Sequence, residues 1–576
     1  MKPLRFALAI PRRSGNAPAP KLRKCRSIAS ICAGEARLWN GSHGPGIDLG
    51  PRGHILGVLF STRRGRPLAR LPSHAPLDGS VKALARWLLD ECWGAYIAVL
   101  ADPAGGSLSA MVDPSGLLAV YCTRSETHTI LVSHPADLEK ASGSAPRVSW
   151  PAVRAHLLRP ELRQQATCLE GVHELSPGAL VSLGSDAPAT LLWRPERFLP
   201  RHPAMTFGEA AEELRDRSTS VMGAWARTFG SCVVAASGGV DSSLICGALA
   251  RSGASFACVS LATSDPSGDE RRFAGLLATH LGVSFRPAVY DPVGIDLSRP
   301  ASHGLPRPAR KTFMAVVDRA LAILARDLSA GVVLDGNGGD NLFCYLHSPA
   351  PVIDCLTAHG PGRNAYAAFL DMCRLTGCDV FTMARAVARR LVRSRGPGWA
   401  VDGRLLAAEG EECPVSPLRP WLEAEAGTQG GKRDHLVLLM QAQNHLHGIA
   451  SQGLPRFSPL ASQPVLEHCL AVPTWLWCAG GINRAPARAA FAAELPREIL
   501  SRTSKAGPDS FIRRLFAENR APLRELLLDG RLALAGLLDL PAVERGMSVD
   551  AVGNGALVHR LLDLAETEAW ARSWSS

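Results

Sequence analysis

The sequence lacks the features that mark several specialised classes of protein. No apolar run reaches the length of a membrane span, so we expect no membrane partner. The chain carries 63 Lys and Arg against 52 Asp and Glu, a net charge of +11, yet it contains no dense basic run. Because the arginines are spread along 576 residues, we expect no nucleic-acid partner, although the charge permits a small anionic ligand.

Paired cysteines and a secretory leader are also lacking. The 15 cysteines show no CxxC spacing, and the closest pair, Cys373 and Cys378, has no neighbouring His or Cys cluster that would suggest zinc. The apolar part of MKPLRFALAIPRR is too short for a signal peptide and is typical of an edge strand. We therefore expect mostly buried, reduced thiols and a cytoplasmic protein.

Two common phosphate-binding motifs are missing, but a third glycine-rich turn is present. Neither a Walker loop ending in GK[ST] nor a GxGxxG fingerprint occurs in the region around Val233–Ser243, which reads VVAASGGVDSS. The apolar residues predict the end of a buried strand, the glycines a tight turn, and Asp241, Ser242 and Ser243 the N-cap of a helix. A strand, a glycine turn and a helix N-terminus together favour anion binding.

The string SGGVDSS resembles the PP-loop of ATP pyrophosphatases, which holds pyrophosphate while ATP adenylates a carboxylate. A strand–helix turn without a ligand remains the alternative. The resemblance implies that ATP contacts Ser237, Gly238, Gly239, Val240, Asp241, Ser242 and Ser243 in the loop, Leu261 in the following strand, and Asp335 and Gly336 in a second loop.

That second loop follows the apolar strand GVVLD, within the segment Gly331–Ser348 (GVVLDGNGGDNLFCYLHS). Strands alternate with helices from about residue 230, which predicts a parallel, doubly wound sheet with ligands at the carboxyl ends of the strands. Asp241 and Asp340 would lie on two such ends and could converge on one Mg²⁺, which prefers carboxylates together with phosphate oxygens. A plain glycine-rich loop is the alternative for Asp340.

The first 200 residues are β-rich. Short apolar or alternating runs (RFALAI, HILGVLF, AYIAVLAD, LSAMVD, LLAVYC and HTILVS) are separated by turn residues, and KALARWLLDEC predicts one helix. The pieces WGAYIAVL, DPSG and GVHELSPG resemble, in this order, the glutaminase domain of asparagine synthetases. This implies a degenerate glutaminase-like domain of the αββα (Ntn) type over residues 1–200 and an ATP pyrophosphatase domain over 201–576. Lys2 stands where a glutaminase has its cysteine, so we expect no ammonia release from glutamine.

The C-terminal domain resembles the asparagine synthetase superfamily, and its sequence is most similar to those of the cyclases of lasso peptides. The carrying segments are GNGGDNLFCYL, SPLASQPVLEHCL, PTWLW and GGINRAPARAAF. Asn337 occupies the position of a glutamate in asparagine synthetases and of a tyrosine in β-lactam synthetases, and its amide does not titrate. Lys505 in RTSKAG matches the lysine that the superfamily places over the acyl-adenylate, where a cation stabilises developing charge.

The resemblance implies an ATP- and Mg²⁺-dependent, AMP-forming ligase. It would adenylate an Asp or Glu side chain of a leader-cleaved precursor peptide and join it to the peptide's N-terminal amine as an isopeptide macrolactam. Asp241, Asp340 and Lys505 would be catalytic, Asp241 and Asp340 would hold the metal, and a leader peptidase would be a partner protein. A small-molecule amide ligase of the β-lactam or asparagine synthetase type without glutaminase activity is the alternative.

The sequence allows more than one role for several charged side chains. Arg484 and Arg488 are four apart on a predicted helix, where they could bind phosphate or peptide carboxylate, or only face solvent. Asp269 and Glu270 either match the D-E helix start of asparagine synthetases or form an acidic first turn. His445 and His447 are two apart and face different directions on a helix, which disfavours a metal pair.

Overall fold

A computed structural model describes residues 4–12, 28–31, 36–40, 46–103, 107–199, 205–263, 269–290, 295–309, 314–392, 399–408, 430–447, 454–503, 509–548 and 555–574. Of the predicted site residues, Lys505 lies outside these ranges. No helix within them combines the length and the apolar composition that a membrane crossing requires.

The first half of the chain forms two antiparallel sheets, as its short alternating runs predict. Across the first sheet the strands lie in the order β11 (Val172–Glu174), β9 (Tyr121–Arg124), β10 (His128–Val132), β1 (Phe6–Pro11), β3 (Ala36–Asn40) and β2 (Ile28–Ile31). The second sheet has the order β13 (Thr190–Leu191), β12 (Ala179–Ser182), β8 (Leu108–Val112), β7 (Cys92–Ala101), β5 (Gly53–Ser61) and β4 (Gly46–Asp48), with β6 (Arg64–Pro67) paired to β5.

The two sheets pack face to face between helices. Alternate residues of β1, Phe6 and Leu8, share a buried cluster with Ile97 and Val99 of β7. Helix α1 (Val81–Glu91) covers the outer face of the second sheet, and α2 (Leu138–Ser142) and α3 (Trp150–Leu158) pack beside the first. The resulting order of layers is helix, sheet, sheet, helix, which agrees with the predicted mixed α/β fold class.

A parallel sheet organises the second half. Its strands lie in the order β16 (Ser284–Val289), β15 (Phe256–Ala262), β14 (Cys232–Ala235), β17 (Val332–Leu334) and β18 (Arg456–Phe457), and every neighbouring pair is parallel. The three central strands, β14, β15 and β17, are short, apolar and mostly buried, as expected for strands that are covered on both faces, whereas the edge strand β16 is largely exposed.

Helices cover both faces of the parallel sheet. Successive residues of a strand point to opposite faces: Val233 packs with Leu321 of α7 (Met314–Asp327), whereas Val234 belongs to the cluster that contains α5 (Val240–Arg251). The same face as α5 carries α4 (Phe207–Phe229), which begins with the predicted capping box of Thr206 and Glu209, and α6 (Arg271–Leu281). This confirms a doubly wound arrangement.

The strand order reverses between β14 and β17. The chain runs outward through β15 and β16 on one side, and then returns to β17 and β18 on the other. At such a switch point the loops after the two central strands diverge and leave a crevice at their carboxyl ends. Both glycine-rich loops of the sequence follow these two strands, so the topology alone brings them together.

The other described segments of the second half are mainly helical. Their helices are α8 (Gly339–Leu342), α9 (Ala350–His359), α10 (Arg363–Thr376), α11 (Val380–Val392), α12 (Gly430–Leu446), α13 (Gln463–Ala471), α14 (Ala485–Ala490), α15 (Arg497–Leu500), α16 (Asp509–Glu518), α17 (Arg520–Leu528), α18 (Arg531–Leu534), α19 (Leu540–Gly546) and α20 (Gly555–Ser573). The last five form a cluster around the buried Leu561 and Trp570 of α20.

Buried polar contacts join the two halves. Arg307 of the second half donates to the Glu174 carboxylate at 2.7 Å, and Arg163 donates to the same carboxylate at 3.0 Å. These two guanidinium groups hold the pKa of the buried Glu174 carboxyl below its usual range although burial alone would raise it. A charge that is buried together with its partners fixes the registration of the two halves, because separating them would leave it uncompensated.

Candidate active site

A cavity of about 370 Å³ opens at the carboxyl ends of β14, β15 and β17. Most of the predicted nucleotide contacts line it: Ser237, Gly239, Val240, Asp241, Ser242, Leu261, Asp335 and Gly336. Gly238 and Ser243 are not among its lining residues, although they belong to the same loop and helix. The volume lies in the lower part of the range of small-molecule pockets.

The first loop ends in a helix N-terminus at the cavity. The structure corrects the predicted cap: Gly239 is the N-cap residue of α5, no side chain caps it, and Asp241 already lies in the first turn. Ser242 instead accepts a hydrogen bond from the Ser237 N–H at 3.2 Å, which closes the loop on itself. The first residues of α5 thus line the cavity, and the first N–H groups of a helix have no intrahelical acceptor, which is what an anion site requires.

Gly238 allows this loop to approach α6. It has a φ of +66°, and a Cβ added there would overlap the side chain of Phe273. Both observations restrict the position to glycine, because a side chain would be strained by the backbone and blocked by the helix.

The second loop is held by its own first residue. The buried Asp335 carboxylate accepts hydrogen bonds from Ser458 Oγ at 2.5 Å, from Arg456 Nη2 at 2.8 Å and from Asn337 Nδ2 at 3.0 Å. Asp335 lines the cavity, but these donors occupy its oxygens. Its side chain therefore shapes the loop, and a nucleotide contact here would come from the backbone.

Arg456 is an important residue that sequence reasoning missed. It lies between Asp335 and the buried Asp318, 3.5 Å from the latter, and the two carboxylates help to keep the pKa of its guanidinium above the usual range. Replacing Arg456 by methionine should destabilise the protein by about 3–5 kcal/mol, because two buried carboxylates lose their cation.

Urea unfolding of Arg456→Met measures this cost, with Arg86→Met on an exposed position of α1 as the control. A loss as small as that of the control would show that Ser458 and the loop backbone suffice to hold Asp335.

Asp241 and Asp340 converge, as predicted, but on an arginine. Arg484 Nη1 lies 2.9 Å from both carboxylate oxygens of Asp241 and also forms an ion pair with Asp340. The glycines between the two loops permit this approach, since a Cβ on Gly336 would lie 2.8 Å from the Ser242 nitrogen. The two loops are therefore in contact, with one guanidinium between their acidic groups.

Arg484 and Arg488 have different environments. Arg488 is buried and donates to the backbone oxygens of Asn483 and Leu500 at 2.9 and 2.7 Å, so it holds the chain on either side of α14. Desolvation lowers its guanidinium pKa to about 10. Arg484 instead lines the cavity. Of the two interpretations left open by the sequence, ligand binding suits Arg484, whereas the buried Arg488 fits neither and instead has a structural role.

The predicted catalytic Lys505 lies outside the described residues, but the chain just before it is anchored at the cavity. Arg502 forms an ion pair with Glu270, and its guanidinium lies 4.1 Å from the centroid of the Phe273 ring. It also lies 3.4 Å from the Ser237 carbonyl oxygen, which accepts its hydrogen bond. Arg502 was missed, although its position three residues before Lys505 could have drawn attention to it.

Asp269 and Glu270 also differ in their surroundings. Asp269 accepts from the backbone and side chain of Arg271, both at 2.9 Å, and this lowers the pKa of its carboxyl. Glu270 lines the cavity beside Arg502. Asp269 precedes Glu270, the N-cap residue of α6, so neither residue forms the acidic first turn of the second interpretation, and only Glu270 belongs to the candidate site.

The residues present fit a hard cation that is held partly by a ligand. Within the described ranges there is no group of three or more His, Cys, Asp or Glu side chains that could enclose a metal by themselves. Asp241 and Asp340 nevertheless meet around a position that already holds positive charge. Two carboxylates completed by phosphate oxygens and water are a donor set typical of Mg²⁺.

Helix α12 links the second loop to the N-terminal half. Near its start, His435 contacts the Leu342 carbonyl oxygen of α8 through Nε2 at 2.8 Å. Near its end, Gln443 donates to the Ser115 carbonyl oxygen at 3.1 Å, and His447 Nε2 lies 2.6 Å from that of Gly116. Ser115 and Gly116 belong to the DPSG turn. His447 is thus held by a hydrogen bond to this turn.

The buried His435 should make stability depend on pH. Desolvation lowers its pKa from 6.5 to about 3, so the unfolded chain binds this proton more readily than the folded chain. Stability from this group is fully present above pH 6.5 and is lost as the pH falls toward 3, by up to about 1.4 kcal/mol per pH unit. Urea unfolding at several values between pH 7 and pH 5 measures how the free energy of unfolding changes with pH. This change should be smaller for His435→Gln than for the unmodified protein, with the exposed His280→Gln as control. An equal change with pH in both proteins would contradict a buried, neutral His435.

Comparison with known proteins agrees with this geometry. The family model of asparagine synthase matches residues 226–572, which is more than half of the chain and includes both glycine-rich loops, Arg484 and the segment around Lys505. A search of curated protein sequences finds no significant match. The match supports an ATP-dependent amide ligase, and family members of this kind use ATP, usually with Mg²⁺. The chain belongs to the asparagine synthase family.

Proposed function

We propose that this protein is an ATP-dependent cyclase that closes a macrolactam ring in a lasso-type precursor peptide. A side-chain carboxylate of the leader-cleaved peptide would be adenylated, and the peptide's own N-terminal amine would then form the isopeptide bond. The family match supports amide ligation driven by ATP. The resemblance of the C-terminal segments to the sequences of lasso cyclases supports a peptide as the substrate.

The observation that carries this proposal is the environment of Asn337. Asn337 lines the cavity, and its Nδ2 donates a hydrogen bond to the Asp335 carboxylate. A ligase that accepts ammonia or a small amine benefits from a titrating group near the acyl-adenylate, and an amide cannot take a proton at neutral pH. An amine that belongs to the same peptide as the acyl group has less need of such help, because its attack is intramolecular.

The reaction has two displacements. A carboxylate oxygen of the peptide attacks the α-phosphorus of ATP, and the bond from that phosphorus to the bridging oxygen breaks, which releases pyrophosphate. The N-terminal nitrogen then attacks the acyl carbon, the bond from carbon to AMP breaks, and the amine gives up a proton. Mg²⁺, held by Asp241 and Asp340, would supply positive charge to the phosphates. The N-terminus of α5 would hold phosphate oxygens, and Lys505 would lie over the acyl-adenylate.

A whole peptide would extend beyond the cavity, since its volume of about 370 Å³ lies in the range of small-molecule pockets. The N-terminal half, which α12 joins to the second loop, is the neighbouring surface that could hold it. We propose that this half guides the peptide and that a leader peptidase delivers it.

The test is product analysis with purified protein, ATP, Mg²⁺ and candidate leaderless peptides. The proposal predicts AMP, pyrophosphate and a peptide that is lighter by the mass of one water. Two matched peptides serve as controls: an acetylated N-terminus and an Asp-to-Asn or Glu-to-Gln change at the acceptor should each abolish the lighter product. AMP formation with small amino or β-amino acids, but never with peptides, would instead identify a small-molecule amide ligase, which the cavity volume also fits.

A further inference from the structure

One guanidinium nitrogen holds the two carboxylates that the proposed function assigns to the metal. Arg484 Nη1 lies 2.9 Å from Asp241 Oδ1 and Oδ2, and the same nitrogen pairs with Asp340 Oδ1. The side chains of Arg484 and Asp241 are only 12% and 13% exposed, so their attraction is weakly screened by water. A single cation therefore already occupies the space between the two loops.

The backbone and the neighbours of Arg484 fix this position. Arg484 has φ 56° and ψ 34°, the left-handed conformation that residues with a Cβ rarely adopt, at the N-cap of α14. Its Nε donates to Asn483 Oδ1 at 3.2 Å, and its guanidinium lies 5.3 Å from the centroid of the Tyr345 ring. Strain of this kind persists where the surroundings impose it, and it often marks functional positions.

The charges have opposite consequences for a free cation and for a nucleotide. A divalent cation that approaches alone meets a guanidinium at the carboxylates and must displace it. A triphosphate brings its own negative charge, and Arg484 lines the cavity in which the phosphates would lie. Guanidinium groups bind phosphate oxygens as well as carboxylates, so the nucleotide offers Arg484 new partners at the moment when the carboxylates are needed elsewhere.

We propose that Arg484 is an internal counter-ion that makes divalent-cation binding depend on bound nucleotide. Without nucleotide, Arg484 neutralises Asp241 and Asp340 and keeps the free cation out. With nucleotide, its guanidinium moves from the carboxylates to the phosphates. This inference rests on the proposed assignment of ATP and Mg²⁺ to this cavity, and it adds a specific positioning residue and an order of events.

The test uses Mn²⁺ as the probe and measures its binding by electron paramagnetic resonance, without nucleotide. Arg484→Met should bind Mn²⁺ at least about tenfold more tightly than the unmodified protein, because two carboxylates lose their resident cation. The same variant should bind ATP in the presence of Mg²⁺ at least about tenfold more weakly, because the phosphates lose a guanidinium. If Arg484 only supported the fold, its replacement would weaken the binding of both Mn²⁺ and ATP.

Three further variants make the result specific. Arg497→Met, at an exposed position of α15, should leave both affinities unchanged. Arg484→Met combined with Asp340→Asn should lose the gain in Mn²⁺ affinity. Arg484→Lys keeps a positive charge on a shorter side chain, so its Mn²⁺ and ATP affinities should lie between those of the unmodified protein and Arg484→Met. It also provides the comparison if the methionine variant does not fold.

Equal Mn²⁺ affinity in the unmodified protein and both Arg484 variants would overturn the inference. Opposite shifts in Mn²⁺ and ATP affinity would support it whether or not any peptide is cyclised, so a failure of the cyclase proposal would be distinguishable from a failure of this one.

Discussion

Replacing Asp241 by asparagine should reduce pyrophosphate release by about a thousandfold or more. The carboxylate lies in the first turn of α5, lines the cavity and contacts Arg484 through both oxygens at 2.9 Å. Asparagine keeps the shape and removes the charge, so the loop loses both its proposed metal ligand and the partner of Arg484. Groups that stabilise the charge of a reacting phosphate contribute several kcal/mol, which corresponds to a loss of this size.

The assay is pyrophosphate release with ATP and an accepted carboxylate substrate, and thermal unfolding reports whether the variant is folded. Asp216→Asn, on an exposed position of α4, is the matched control and should keep full activity. If Asp241→Asn were folded and retained activity within a factor of a few, Asp241 would be neither a metal ligand nor a phosphate-site residue.

Gly339→Ala should strongly reduce activity although it adds only one methyl group. A Cβ at this position would lie 2.5 Å from Asp241 Cγ and 2.7 Å from Asp241 Cβ, closer than real side chains approach each other. The loops are constrained on both sides, by Asp335 and its donors on one and by α5 on the other. The added methyl must therefore push the two loops apart and move Asp241 from Asp340. We expect activity to fall about a hundredfold, because small displacements of reacting groups have such effects.

Gly208→Ala is a suitable control for this change. Gly208 lies near the start of α4, and a Cβ there would meet no atom within 4 Å. The control should keep full activity and unchanged or higher stability, since alanine favours a helix. Full activity of a folded Gly339→Ala protein would contradict the close contact of the two loops.

Local sequence patterns were sufficient to predict the framework of the site. Short apolar strands followed by glycine turns predicted where β14 and β17 end, and strand–helix alternation predicted a parallel sheet. The convergence of Asp241 and Asp340 follows from these two facts, because neighbouring parallel strands end at the same edge. These inferences depend on residues close in sequence and on a topology that few arrangements satisfy.

The partners of the acidic groups could not be predicted in the same way. Arg484 is more than 240 positions from Asp241, and Arg456 is 121 positions from Asp335. Nothing in the local pattern of either arginine distinguishes it from a solvent-exposed one, since their roles arise when distant segments fold together. The N-cap of α5 was misassigned because Asp and Ser residues favour caps, whereas here the turn already places Gly239 there.

In the N-terminal half, too, local elements could be predicted from the sequence and long-range contacts could not. Its strands and the helix α1 were recognisable from alternation and periodicity. The role of the DPSG turn as a support for α12 was not, because it depends on hydrogen bonds between Gln443 or His447 and backbone oxygens more than 320 positions away. Those contacts give this half a physical connection to the second glycine-rich loop.

In the proposed reaction, a carboxylate attacks the α-phosphorus of ATP in the cavity between the two loops. The most direct measurement uses an accepted substrate whose reacting carboxyl group is labelled with heavy oxygen, followed by mass spectrometry of the nucleotide products. We expect one heavy oxygen in AMP, unlabelled pyrophosphate, and loss of both products in Asp241→Asn. Heavy oxygen in inorganic phosphate together with ADP would show attack at the γ-phosphorus and would contradict the proposed reaction.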